Sequence, residues 1–161
     1  MTVHPIPPVF DKESRVLILG SFPSVKSREV MFYYGHPQNR FWRVLGTVLG
    51  CDFPDGAEER RELLLKNKVA LWDVIASCEI TGSSDSSVRN VVPNDISEIL
   101  GNGNIRAIFV NGKCAEKYYR KYIKPTTEIE CITLPSTSPA TAAFSYEKLC
   151  EHWSEISEKL K

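Results

Sequence analysis

Val16-Leu17-Ile18-Leu19-Gly20-Ser21-Phe22-Pro23-Ser24 is an aliphatic run that stops abruptly in glycine, serine and proline. Four branched side chains in succession, with no polar residue between them, are the pattern of a strand buried on both faces. Gly-Ser-Phe-Pro-Ser is turn chemistry and ends it. Residues 69–72, 105–110 and 129–134 form three further runs of the same kind.

Between these runs lie segments with helical spacing. Phe41, Val44, Leu45, Val48 and Leu49 recur on one helix face that ends near Gly50. Residues 58–66 make a second helix. Residues 95–100 make a short third, with Glu98 three residues after Asp95 as in a capping box, stopped by Gly101 and Gly103. Cys114, Ala115, Tyr118, Tyr119 and Tyr122 describe a fourth helix. Tyr146, Leu149, Cys150, Trp153, Ile156 and Leu160 describe a fifth, N-capped by Ser145. Strands alternating with helices predict an α/β fold: a three-layer α/β/α sandwich on a four-stranded parallel sheet. Pro5, Pro7 and Pro8 read as an extended lead-in to the first strand. A chain of 161 residues, 42% hydrophobic, is expected to form a single domain over residues 1–161.

The 20 basic and 20 acidic side chains cancel, so net charge alone does not announce a nucleic-acid binder. Their distribution is uneven: Arg106, Lys113, Lys117, Arg120, Lys121 and Lys124 face only Glu116 within their stretch, whereas residues 52–62 are mostly acidic. Such a stretch is either a solvated helix face or a phosphate-facing one. Cys51, Cys78, Cys114, Cys131 and Cys150 lie far apart with no CxxC pair, which argues against zinc or an iron-sulfur cluster. They read as reduced, buried thiols, which fits a cytoplasmic protein. No apolar run approaches the length of a membrane span. No metal, cofactor or membrane is expected. With five helices covering the sheet, no long apolar stripe is left over, and a monomer is expected.

In open sheets of this type the ligand sits beyond the carboxyl ends of the strands. There the chain carries Gly20-Ser21-Phe22-Pro23-Ser24, then Tyr33-Tyr34-Gly35-His36-Pro37-Gln38-Asn39-Arg40-Phe41-Trp42, then Pro135-Ser136-Thr137-Ser138-Pro139-Ala140-Thr141. None of these is a P-loop, a GxGxxG turn or a GxSxG elbow, so nucleoside triphosphate and serine-hydrolase chemistry lose their support.

These loops resemble those of the uracil-DNA glycosylase superfamily, which carries a Gly-x-x-Pro loop after the first strand and a Ser-Pro or Ser-Gly loop after the fourth. Residues 36–42 look like their counterpart in the mismatch-specific members. The first loop, Gly-Ser-Phe-Pro-Ser, resembles that of the hypoxanthine-DNA glycosylase branch. The similarity covers nearly the whole chain. It implies DNA containing deaminated bases as the partner, base flipping, and hydrolysis of the N-glycosidic bond in base excision repair.

Two departures bear on the chemistry. Phe22 stands where uracil-specific members place a water-orienting Asp and mismatch-specific ones an Asn. The resemblance assigns that role to Asn39, which on sequence alone is equally an N-cap for the following helix. Ser136 stands where uracil-specific members have a His that supports charge on the departing pyrimidine. A purine leaves by another route, through protonation of its imidazole ring, so hypoxanthine is the expected substrate and uracil a weak second. The alternatives are a uracil- or mismatch-specific glycosylase, an inactive DNA-damage binder, and a small-molecule hydrolase on the same scaffold.

The resemblance places Ser21, Phe22, Tyr34, Gly35 and His36 around the base, with Tyr34 as the stacking platform and His36 ordering its loop. Asp73 and Asn111, just past their strands, are candidates for reading the base edge, with loop or helix caps as the alternative. Pro23, Ser24, Lys113, Ser136, Thr137 and Ser138 are expected on the DNA backbone. Pro139, Ala140 and Thr141 would form a small wedge into the base stack. His4 and His152 have no sequence neighbours that point to chemistry, and Asp85 has no evident place.

Overall fold

A computed structural model describes residues 1–139 and 143–161. Its strands in chain order are β1 (Thr2–Val3), β2 (Val16–Gly20), β3 (Val69–Asp73), β4 (Ile75–Glu79), β5 (Arg89–Pro93), β6 (Ala107–Asn111) and β7 (Cys131–Leu134). The helices are α1 (Val25–Val30), α2 (Phe41–Leu49), α3 (Ala57–Lys66), α4 (Ser97–Leu100), α5 (Lys113–Tyr118), α6 (Lys124–Thr127), α7 (Tyr146–Trp153) and α8 (Glu155–Leu160).

Strand β2 is central in a four-stranded sheet of order β3-β2-β6-β7, in which every pairing is parallel. Its side chains alternate between two cores, as strand geometry requires. Val16 and Ile18 pack with Phe41, Leu45, Leu64, Trp153 and Ile156 on one face. Leu17 and Leu19 pack with Ile99, Ala115, Tyr118 and Tyr119 on the other. Helices α2, α3, α7 and α8 therefore cover one face while α4 and α5 cover the other, which is the three-layer α/β/α arrangement. Complete burial of all four aliphatic residues explains why this run carries no polar alternation.

A second sheet was not foreseen. Strands β1, β4 and β5 form a small antiparallel sheet beside the β3 edge. Its strands are short and half-exposed, and β5 ends in Pro93, so they lack the continuous apolar signature of the main sheet. The N-terminal lead-in is tied down as well as extended: Thr2 and Val3 pair with Cys78 and Ser77, and Val9 exchanges backbone hydrogen bonds with Leu71 of β3.

Several helices differ from expectation for local reasons. Helix α1 has no apolar stripe to betray it and is set by Ser24, whose side chain accepts from the Ser27 amide. The expected capping box at residues 95–98 is absent: Asp95 Oδ1 accepts from the Ser97 amide, and the helix is only Ser97–Leu100. The fourth helix continues beyond Tyr118 as a π-helical turn over Tyr119–Ile123 and then as α6, with Pro125 in its first turn. The fifth is two helices, α7 and α8, that meet at Ser154, with Ser145 capping the first. Cys78 and Cys131 are buried, whereas Cys51, Cys114 and Cys150 are only half-buried; all five are free thiols. Among the described residues, no helix is long and apolar enough to cross a membrane.

Candidate active site

Parallel pairing in register brings Gly20 beside Asp73 at the carboxyl end of the sheet, with Asn111 two strands along opposite Leu134. Asp73 is 4% exposed. Asn111 is committed to its neighbours: Nδ2 donates to the Tyr34 hydroxyl and to Thr137 Oγ1, both at 3.1 Å, and Oδ1 accepts from the Thr137 amide at 3.1 Å. With both amide hydrogens taken, it braces two loops against the sheet. Tyr34 is half-buried, with a backbone φ of 53°, and its ring stacks on Phe41 at 3.9 Å between centroids. Burial first, and the charge of Asp73 second, push its phenol pKa up, so the hydroxyl remains protonated.

His4 completes this floor. Its Nε2 lies 2.7 Å from Asp73 Oδ2, and the two side chains are 3% and 5% exposed. Its Nδ1 accepts from the Ile6 amide, and its ring lies among Phe22, Tyr33 and Trp72. His4, whose sequence neighbours point to no chemistry, is thus partnered across the fold. Sixty-nine positions separate the two residues, so no local spacing could have shown the pair.

The 33–40 loop is built from small ties. Gly35 donates its amide to Ser27 Oγ at 2.9 Å, and a Cβ at Gly35 would lie 2.7 Å from Val30 Cγ2, which explains the glycine. His36 is exposed, and its Nδ1 accepts from the Gln38 amide. Asn39 Oδ1 accepts from the Phe41 amide at 3.0 Å, and the Arg40 amide donates to the Thr137 carbonyl, joining this loop to the one after β7. The N-cap of α2 is Arg40, not Asn39 as expected; Asn39 precedes it, and its side chain closes a turn onto the first amide of the helix. A carbonyl oxygen has two lone pairs, so the same atom can also accept from a water.

On the side expected to meet DNA, the outcomes differ by residue. Pro23 and Thr137 are buried, so neither faces solvent. Ser24 serves as the α1 cap, and Ser136 Oγ accepts from the Ser138 amide. Lys113 and Pro139 are exposed; Ala140 and Thr141 lie outside the described residues. The basic stretch is partly compensated: Arg120 pairs with Glu116 and Glu130 and Lys124 pairs with Glu130, while Lys117 and Lys121 keep their charge and lie over Tyr118 and Tyr122. Glu130 falls outside the stretch as read from sequence, which is why the face looked uncompensated.

Asp85, unplaced by sequence, is exposed as a residue, but its carboxyl turns towards the Ser21 hydroxyl and the Cys114 thiol. Desolvation there raises the carboxyl pKa. Burial, and then the Asp85 charge, push the Cys114 thiol up to about 11. Only the thiolate is nucleophilic. In the folded protein at pH 8, Cys114 is therefore expected to alkylate with iodoacetamide far more slowly than in the unfolded chain, with a rate that climbs as pH approaches that value. Mass spectrometry of the modified peptide checks this; fast alkylation at pH 8 would contradict the enclosed environment.

The structure thus has an α/β fold in which the loops after β2, β3, β6 and β7 gather beyond the carboxyl ends of a parallel sheet. The model of the uracil DNA glycosylase superfamily matches residues 7–161. The chain belongs to that superfamily. It is 36% identical over 152 residues to a hypoxanthine DNA glycosylase of Methanosarcina acetivorans, covering 93% of this chain and 94% of the relative. It is 37% identical over 114 residues to a hypoxanthine DNA glycosylase of Methanosarcina barkeri, covering 70% and 72%. The solution NMR structure of a candidate uracil DNA glycosylase from Methanosarcina acetivorans superposes with a TM-score of 0.80 at 33% identity, covering 96% of each chain.

Proposed function

We propose that this chain is a monofunctional DNA glycosylase that hydrolyses the N-glycosidic bond of deaminated bases, chiefly hypoxanthine and weakly uracil, and acts as a monomer. The observation that carries the reading is the convergence of Tyr34, stacked on Phe41, with the buried carboxylate of Asp73 at its hydroxyl end. A flipped base needs these two things: a flat platform and a polar group at its edge.

Extruding a base costs a few kcal/mol, less in a mismatch, and stacking on an aromatic ring returns about 1–3 kcal/mol. Phe41 holds one face of Tyr34, and the base takes the other. Asn111 is occupied in bracing, so Asp73 is the group that reads the base edge. As the glycosidic bond breaks, the sugar develops oxocarbenium character, and a water held by Asn39 captures it. The bond from the Phe41 amide fixes the direction of the Asn39 carbonyl, a preorganised acceptor of the kind such a step requires. Ser136 offers no imidazole to a departing uracil, whereas hypoxanthine can be protonated on its own ring.

The 20–24, 33–42 and 135–141 motif loops place no lysine for a Schiff base, and Lys113, beyond β6, is assigned to the DNA backbone, so borohydride is expected to trap no protein–DNA adduct. Oligonucleotides carrying deoxyinosine or deoxyuridine test the reading by base release. Faster loss of hypoxanthine supports it. The structural bond from the Phe41 amide to Asn39 also favours a second reading, a damage binder without turnover, which abasic-site binding with no release of either base would establish. Binding insensitive to salt would remove DNA as the ligand, because neutralising phosphates releases counterions.

A further inference from the structure

We propose that His4 is a positioning residue for base recognition: it fixes Asp73 as an acceptor, so that the pocket selects bases presenting a ring N–H beside a carbonyl. This rests on the function proposed above.

The tautomer follows from the hydrogen bonds. The Ile6 amide can only donate, so His4 Nδ1 is the bare nitrogen and Nε2 carries the proton given to Asp73 Oδ2. One carboxylate oxygen is thereby occupied. The other, Oδ1, lies 2.4 Å from the point where a Cβ on Gly20 would sit, and the Tyr34 hydroxyl lies 2.9 Å from that same point. The unoccupied acceptor is therefore turned across Gly20 towards the end of the platform. Phe22, Tyr33 and Trp72 pack around the imidazole and hold its plane.

An acceptor at that place has a chemical consequence. Deamination turns the bare ring nitrogen of adenine or cytosine into an N–H flanked by a carbonyl, as in hypoxanthine and uracil. A carboxylate accepts from that N–H and opposes the lone pair of the undamaged base, whose nearest donor is its exocyclic amine, one atom further along the edge. A site built to pair a buried polar group rejects an analogue that leaves it unpaired. The dyad would thus separate hypoxanthine from adenine and uracil from cytosine, though not from guanine or thymine, which carry the same N–H beside a carbonyl, and the N-terminal segment, outside the motif loops, is part of the specificity device.

The test uses His4→Phe, which fills the aromatic surroundings without a donor, and His4→Gln, whose amide nitrogen reaches the Nε2 position and can donate. Folding of each is checked by thermal unfolding. Affinity is measured for oligonucleotides with hypoxanthine or unsubstituted purine, which lacks both the N–H and the carbonyl, on a 2′-fluorinated sugar that resists cleavage; hypoxanthine release is measured on the ordinary sugar. His4→Phe is expected to weaken hypoxanthine binding about ten- to a hundredfold, the weight of a hydrogen bond to a charged group, with purine binding changed less than about threefold. His4→Gln is expected to restore the preference. An unchanged hypoxanthine-to-purine ratio in His4→Phe, whether both affinities hold or both fall, overturns the proposal in favour of a purely structural histidine. Failure of the underlying reading looks different: the native protein releases neither base, or a folded Asp73→Leu, which has no acceptor, keeps the native preference.

Discussion

Asn39→Ala is expected to lower the single-turnover rate of hypoxanthine release about 10²- to 10⁴-fold, the usual weight of a positioned acid–base group, while affinity for deoxyinosine-containing DNA stays within about threefold. Two effects have to be separated, because the same oxygen accepts from the Phe41 amide at the start of α2. Removing that hydrogen bond costs about 1 kcal/mol of stability, which lowers the melting temperature by about 2–4 °C in a chain of this size. A mutant that has lost only this bond and remains folded retains its rate per folded molecule; a catalytic one does not. Asn39→Asp separates them further, since its carboxylate still accepts from the Phe41 amide. It is expected to keep the stability and to retain more activity than alanine, because it also accepts from water. Unimpaired release by a folded Asn39→Ala would confine the residue to ordering the turn before α2.

The fold was legible where burial is complete and local. Residues 16–20 have their neighbours on both sheet faces and on both edges, so their pattern carries one meaning, and β6, the other interior strand, shares it. The loops at the carboxyl ends were legible because their glycine, proline and serine are contiguous. What stayed hidden depends on contacts between distant segments. His4 meets Asp73 only because β1 pairs with β4 and Val9 with Leu71, and none of those short pairings has a periodic signature. Asn111 sat at a strand end where both bracing and base reading were chemically open, and only the positions of Tyr34 and Thr137 decide that its amide is occupied. Glu130 shares its one negative charge between Arg120 and Lys124 from beyond the helix, so a charge count along the stretch overstates the basic face by one. Serines 24 and 136 show the same limit: a hydroxyl that suits a phosphate suits a cap or a turn equally well, and here both accept backbone amides.

Gly20→Ala is expected to abolish most activity, by about a hundredfold or more, through a single methyl group. The cause is not backbone strain; Gly20 is the last residue of an ordinary strand. The cause is space. Its Cβ would lie 2.4 Å from Asp73 Oδ1 and 2.9 Å from the Tyr34 hydroxyl, closer than unbonded atoms settle. Neither neighbour retreats cheaply. Asp73 is held through Oδ2 by His4, and Tyr34 is held at its hydroxyl by Asn111 and at its ring by Phe41. Overpacking a close-fitted interior costs about 1–3 kcal/mol, which a thermal melt registers as a drop of several degrees. The carboxylate and the platform must then shift by a good fraction of an ångström, and a displacement of about 1 Å in a substrate-positioning group is enough to cost about a hundredfold in rate. Tyr34→Phe in the Gly20→Ala background relieves the contact with the hydroxyl and leaves the contact with Asp73, so it should recover part of the stability and little of the activity. Native activity in Gly20→Ala would mean that Asp73 and Tyr34 do not jointly form the floor on which the base rests.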